Sequence, residues 1–151
     1  MSIIELEDIE RIVEIKKGGQ IIFVLQVYDP SAGVLLAANE VQVRQNENQK
    51  ALTSMAEKIS NEQDEKIKEE LSLEYAQLEK KGMEISFDFI KCMVRNYKDI
   101  ENDLKYMNIN YLGQLVQAVQ EEFSKTKDSK KKLVALSKKN SGESNSEKLA
   151  M

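Results

Sequence analysis

The sequence contains no histidine and no tryptophan, and it has one proline and one cysteine among its 151 residues. The absence of histidine removes the side chain that most often transfers protons near neutral pH and most often binds metals. Cys92 has no second cysteine with which to form a disulfide or a thiolate metal site. Its apolar neighbours favour a buried small side chain over a reactive thiol. We therefore expect neither a cofactor nor a metal.

Long hydrophobic runs and a targeting signal are also missing. No stretch approaches the roughly 18 apolar residues that a membrane helix needs. The first eight residues, Met-Ser-Ile-Ile-Glu-Leu-Glu-Asp, are acidic and do not resemble a signal peptide. A lone free thiol fits a reducing compartment. These features predict a cytoplasmic protein with no membrane partner.

Charge divides the chain into two parts. From Lys125 onward there are eight lysines against three acidic residues, which gives this segment a net charge of +5; the total of −4 then leaves −9 for residues 1–124. Hydrophobic residues make up 41% of the chain, enough for a modest core. We predict one folded domain over residues 1–124 and a disordered, basic, serine-rich tail over residues 125–151.

The N-terminal part of the chain has the pattern of a β-hairpin. Residues 10–17 and 20–28 are rich in β-branched side chains, which fit a pleated surface. Gly18 and Gly19 lie between them and can adopt the positive φ values of a tight turn. Two strands alone are marginally stable in water, so the hairpin must pack on helices or pair with another chain.

Helical patterns follow. Asp29 and Pro30 favour a helix start at about residue 30. Residues 33–45 are ambiguous, and we favour helix over strand. Apolar residues recur at helical spacing over residues 50–81, and the polar run 60–66 is either a solvated bridge or a break capped by Ser60 or Asn61. Gly82 is placed where a glycine would end this helix.

The remaining helices are predicted over residues 86–124. Ser86 is a candidate N-cap for the most buried element, residues 86–97, and residues 99–107 form a short charged helix or turn with Ile100, Leu104 and Met107 facing inward. Asn108 or Asn110 caps the final helix, in which Gly113 marks close packing. The fold predicted is α+β and mainly α, with an N-terminal β-hairpin followed by a small bundle of three to five helices.

No catalytic constellation is evident in the sequence. The many carboxylates lie in locally polar runs, where a solvated surface is favoured over a site with perturbed pKa values. Lys17-Gly18-Gly19 lacks the strand–loop–helix context of a phosphate-binding loop. The serines have no histidine partner for a triad. We therefore predict that the protein is not an enzyme. The remaining catalytic alternative is an active site based on lysine or glutamate.

The order of these elements resembles a known family. The hairpin leads through Tyr28-Asp29-Pro30-Ser31 into helices, a buried helix follows at Phe87–Tyr97, and an acidic connector precedes Met107-Asn-Ile-Asn-Tyr-Leu-Gly-Gln-Leu-Val-Gln-Ala-Val. Over residues 8–124 this layout resembles the tail assembly chaperones of long-tailed bacteriophages and prophages. The charged stretch Asn61–Lys81 departs from the family pattern, and no family site residues can be transferred.

The resemblance implies a function and a partner. Such chaperones bind the tape-measure protein, a very long helical chain, in the bacterial cytoplasm and keep it soluble while the tail assembles. From the apolar stripes, we predict a partner-binding surface formed by five residues: Leu35, Leu36, Leu112, Val116 and Val119. Assembly of the protein into a homo-oligomer is a further alternative.

Two other functions compete with this reading. One is a structural phage or mobile-element component that is incorporated in the particle. The other is a nucleic-acid-binding regulator that uses the lysine-rich tail. The absence of aromatic residues and arginine from that tail counts against nucleic acid as a partner.

Overall fold

The computed structural model describes residues 1–6 and 8–126, so the predicted tail lies almost wholly outside the described residues. Strands β1 (Ile12–Lys17) and β2 (Gln20–Gln26) pair antiparallel. Gly18 and Gly19 join them with φ values of +60° and +81°, which confirms the predicted hairpin and its turn. Val13 lies opposite Leu25, and the hairpin turns these two side chains towards the helices.

The marginal size of the hairpin is offset by a third extended segment. Val94 forms an antiparallel bridge with Val27, and the Arg95 N–H donates to the Gln26 carbonyl over 2.8 Å. The Asn96 side chain then continues the pairing, since it accepts from the Gln26 N–H and donates to the Val24 carbonyl. Residues 94–96 thus hold the β-hairpin in place along the edge formed by β2.

Helices α1 (Ala32–Asn61) and α2 (Glu65–Met93) form a long antiparallel helical hairpin. Residues 33–45 are helical, as favoured from the sequence. The N-cap of α1 is Ser31, whose side chain accepts from the Val34 N–H, so the helix begins slightly later than predicted. The polar run does contain a break, but Asp64 caps α2 in place of Ser60 or Asn61.

The predicted helix end at Gly82 and new start at Ser86 are wrong, because α2 continues through both residues. A glycine inside a helix costs about 1 kcal/mol relative to alanine. Here the apolar face of Leu78, Ile85 and Phe89 runs across Gly82 without interruption, so tertiary packing outweighs the local preference. The Ser86 hydroxyl donates to the Gly82 carbonyl within the helix and caps nothing.

The last elements are α3 (Tyr97–Lys105), a single 3-10 turn (Ile109–Tyr111) and α4 (Leu112–Ser124). Ile100 and Leu104 are buried, as predicted, and Met107 is half-buried against the core. The Asn108 side chain caps the 3-10 turn that leads into α4. The close packing predicted at Gly113 is wrong, since a Cβ there meets nothing within 4 Å.

The core lies where the hairpin, α3, α4 and the adjoining halves of α1 and α2 meet. The fully buried side chains are Leu25, Ile85, Ile90, Met93, Val94, Leu104 and Val119. Over the described residues, the fold is α+β and mainly α, with four α-helices after the hairpin, within the predicted range of three to five.

Candidate protein-binding surface

Burial along the α1–α2 hairpin changes halfway along its length. In the half next to the sheet, the seam between the two helices includes the buried residues Ala38, Val41, Ile85 and Phe89. No described residue from 49 to 84 is buried. The seam residues of this outer half stay half-buried at best; they include Leu52, Met55, Ile59, Leu71, Tyr75 and Leu78. Two helices alone cannot enclose the apolar side chains between them.

The inner half of the seam is enclosed because α4 packs on it. Val116 of α4 meets Val41 and Gln45 of α1 and Phe89 of α2 around a small cavity of about 50 Å³. Ser86 and Gln120 also line this cavity. The face of the helical hairpin that carries these residues is called here the α4-covered face.

The α4-covered face continues outward as an open groove of about 520 Å³, here called the distal groove. On α1, Val41 and Gln45 are followed at steps of seven and four by Leu52 and Ala56, so all four share one helix face. On α2, Glu79 and Tyr75 precede Ser86 at the same steps of seven and four, so these three residues also share one helix face. The residues lining the distal groove are Gln49, Leu52, Thr53, Ala56, Glu57, Ser60, Tyr75 and Glu79.

Side chains in the distal groove suit contact with another helix. Thr53, Ala56 and Ser60 recur at steps of three and four on α1 and are small, so a neighbouring backbone can approach closely. Leu52 and the Tyr75 ring supply apolar surface across the groove. The spacing of the small residues was visible in the sequence, but only the position of α4 shows which face of α1 is left open.

A second, larger groove of about 860 Å³ lies between the β-hairpin and the segment that joins α3 to α4. Its apolar wall includes Val13, Phe23 and Leu115. Tyr106, which is 89% exposed, and Tyr111 line it as well. This groove also has mixed charges, since Glu14, Lys16, Lys17 and Asp103 all line it.

The five residues predicted to contact a partner do not form one surface. Leu35 and Leu36 lie on α1 and are 50% and 66% exposed, so they remain accessible. Leu112 and Val119 are 8% and 0% exposed in the core, and Val116 is half-buried where α4 meets the helical hairpin. The expectation for Leu112 and Val119 is therefore corrected: the apolar stripe of α4 holds the protein's own fold together. The sequence did not reveal the distal groove.

Cys92 is half-buried, and its thiol lies 3.1 Å from the Phe89 carbonyl. Burial raises the pKa of the Cys92 thiol above its ordinary value, with a smaller contribution from the negative charge of Asp88. Less thiolate at neutral pH means a less nucleophilic sulfur.

Within residues 1–6 and 8–126, no three cysteine, aspartate or glutamate side chains gather closely enough to hold a metal ion. None of the helices in that part of the chain combines the length and apolar character needed to cross a membrane.

No protein-family model matches the chain, and neither a curated protein nor a solved structure is significantly similar to it.

Proposed function

We propose that this protein is a non-catalytic protein-binding factor that holds a long helical client in the distal groove. The observation that carries the proposal is the change in burial along the α1–α2 hairpin. One face is closed by α4 over its inner half and left open, with the same residue spacing, over its outer half. A client helix placed in the distal groove would cover the seam as α4 covers it further in.

The likeness of the element order to phage tail assembly chaperones supports the choice of client. A tape-measure protein is a long helical chain with repeated apolar stripes, and it needs protection from aggregation until the tail tube encloses it. Helix-in-groove contact is a common way to recognise such a stripe. Each contact is weak, but a repetitive client offers many copies, and multivalency raises the overall affinity. Leu35 and Leu36 on α1 provide a second, smaller apolar contact.

The test is co-expression of the full chain with a tape-measure protein, the long helical client that the resemblance implies. We expect the soluble fraction of that client to rise, and the two proteins to be recovered together by pull-down. Ala56→Trp fills the distal groove and should abolish both effects. Ser54→Trp, on the same turn of α1 but facing away from the groove, is the matched control and should retain both.

Two results would contradict the proposal. One is equal rescue of the client by the Ala56→Trp variant and the unmodified protein. The other is the presence of the protein in finished particles at a fixed stoichiometry, measured by mass spectrometry. That second result would favour the structural-component alternative, because a chaperone leaves before assembly is complete.

A further inference from the structure

The distal groove has a distinct electrostatic character. Two carboxylates line it, Glu57 on α1 and Glu79 on α2, and no lysine or arginine lines it. Neither carboxylate forms an ion pair with a described residue, whereas Asp88 and Asp29 are paired with Arg44 and Arg11. The groove therefore offers two unpaired negative charges beside an apolar floor.

The two carboxylates lie on opposite walls and at different heights. The Asn48 side chain contacts the Leu78 carbonyl and also lies beside Gly82, which places residue 48 of α1 level with about residue 80 of α2. Glu79 is thus level with the start of the groove, and Glu57 lies about 12 Å further along at 1.5 Å per residue. A helix in the groove would meet one carboxylate on each flank, about two turns apart.

From this arrangement we infer that the distal groove is specific for a basic amphipathic helix, a conclusion that rests on the proposed function. The partner helix carries a narrow stripe of alanine and leucine that packs against Leu52, Ala56 and Tyr75. Lysine or arginine on each flank, about two turns apart, pairs with Glu57 and Glu79. The groove continues a face that already binds a helix, which is why a helix is the occupant.

Charge at such a position acts mainly on specificity. Ion pairs at the rim of an interface contribute modestly to affinity, and salt screens them. Like charges in the same position oppose binding. Two pairs together should separate a basic helix from an acidic one by about tenfold in Kd.

The test uses two synthetic helical peptides of about 20 residues with the same alanine–leucine stripe. One carries lysine at the flanking positions and the other carries glutamate at those positions. Binding to the full-length protein is measured by fluorescence anisotropy at about 50 mM and about 500 mM salt. We expect the lysine peptide to bind about tenfold more tightly at low salt, and the difference to shrink at high salt.

Reversing the charges of the distal groove should reverse which of the two peptides binds more tightly. The variant Glu57→Lys with Glu79→Lys should bind the glutamate peptide more tightly than the lysine peptide. Its control is Glu47→Lys with Glu84→Lys, which changes one exposed carboxylate on each helix outside the groove and gives the same net charge. The control should keep the preference of the unmodified protein, and the basic tail is common to all three proteins.

Three outcomes would overturn the inference: equal binding of both peptides, binding of neither peptide, or the same exchange of preference in the control variant. Failure of the inference can be told from failure of the proposed function with Ala56→Trp. If both peptides bind equally and both are lost in Ala56→Trp, the groove binds helices without selecting charge. If binding survives Ala56→Trp, the distal groove is not the binding site.

Discussion

At the scale of single residues, Asn48 is the most informative position in the long helical hairpin. Its side chain is buried, its amide nitrogen donates to the Leu78 carbonyl over 3.1 Å, and its amide oxygen has no partner among the described residues. A buried amide in a helix–helix seam costs stability, but it disfavours other registers, since a shifted helix would leave it facing apolar side chains. Gly82 makes room for it, because a Cβ there would lie 3.1 Å from the Asn48 Nδ2 atom.

We therefore expect Gly82→Ala and Asn48→Ala to be energetically coupled. In the unmodified protein, the gain of about 1 kcal/mol in helix propensity should be largely lost to the contact with Asn48. In the Asn48→Ala background, the added methyl has space and should raise the free energy of unfolding by the full amount. Urea unfolding of the four proteins measures the coupling, and additivity within about 0.3 kcal/mol would contradict it.

Two titratable groups, the phenol of Tyr97 and the thiol of Cys92, give a second residue-scale prediction. Burial raises the pKa of the Tyr97 phenol above its ordinary value of 10.0, helped by the negative charge of Glu101, and burial likewise raises the pKa of the Cys92 thiol above 9.0. In the unfolded chain both groups lose their protons at lower pH than in the fold. Their contribution to stability is thus complete below about pH 9 and falls as the pH rises further.

The measurement for this pH dependence is the free energy of unfolding between about pH 8 and about pH 10.5. The double variant Tyr97→Phe with Cys92→Ala should lose less stability over that range than the unmodified protein. Parallel curves for the two proteins would show that these groups do not contribute.

At the scale of elements, the α1–α2 hairpin consists of two halves with different support. The inner half packs against α4 and the sheet, and it contains the buried side chains of both helices. The outer half lacks any buried side chain over residues 49–84 and is joined by the short turn at residues 62–64. Helices of this kind depend on packing for most of their stability, so the outer half has the weaker support.

Hydrogen exchange should reveal this difference directly. We expect amides over residues 50–78 to exchange through local opening, at rates well above those of residues 85–93 and 115–123. These exchange rates are measured by mass spectrometry of peptides after a short series of labelling times. Uniform protection along both helices would mean that another contact, such as a second copy, covers the outer half. Added client should slow exchange only in residues 50–78 if the distal groove is its site.

At the scale of the whole molecule, Arg11 joins parts of the chain that are far apart in sequence. Its guanidinium is buried and donates to the Asp29 carboxylate at 3.1 Å and to the carbonyls of Glu122 and Phe123 at 2.6 and 3.2 Å. It therefore ties the start of β1 to the loop before α1 and to the end of α4. A cation at this end of α4 also faces the negative end of the helix dipole.

Arg11→Ala should lower the free energy of unfolding by about 2–3 kcal/mol, since it removes three charge-assisted hydrogen bonds, including the buried one to the Phe123 carbonyl. Arg11→Lys should recover only part of the loss, because an ammonium cannot reproduce the planar fork of the guanidinium. Chemical denaturation measures both. Lys16→Ala, which removes an exposed ion pair with Glu14, is the control and should change stability by less than about 0.5 kcal/mol. A similar small effect at Arg11 would contradict its role as a tie.

Local patterns were sufficient for the elements whose cause is local. The Gly18-Gly19 turn, the β-branched strands and the long helical periodicities all depend on neighbouring residues, and each was predicted correctly. The same local reasoning failed at Gly82 and Ser86. Their residue types are typical of helix ends, but packing against Asn48 and the continuous apolar face of α2 keeps both inside a helix.

The proposed binding surface could not be predicted from the sequence, because an apolar stripe has the same pattern whether the protein covers it or leaves it open. Leu112 and Val119 were chosen for their stripe, and tertiary packing places both in the core. The sequence by itself determined that the protein is a mainly helical chain with an N-terminal hairpin. Only the tertiary structure decided which helix faces meet each other. The physical reason is that these contacts depend on how far α4 extends along the α1–α2 hairpin, and the distal groove is the part that α4 leaves uncovered.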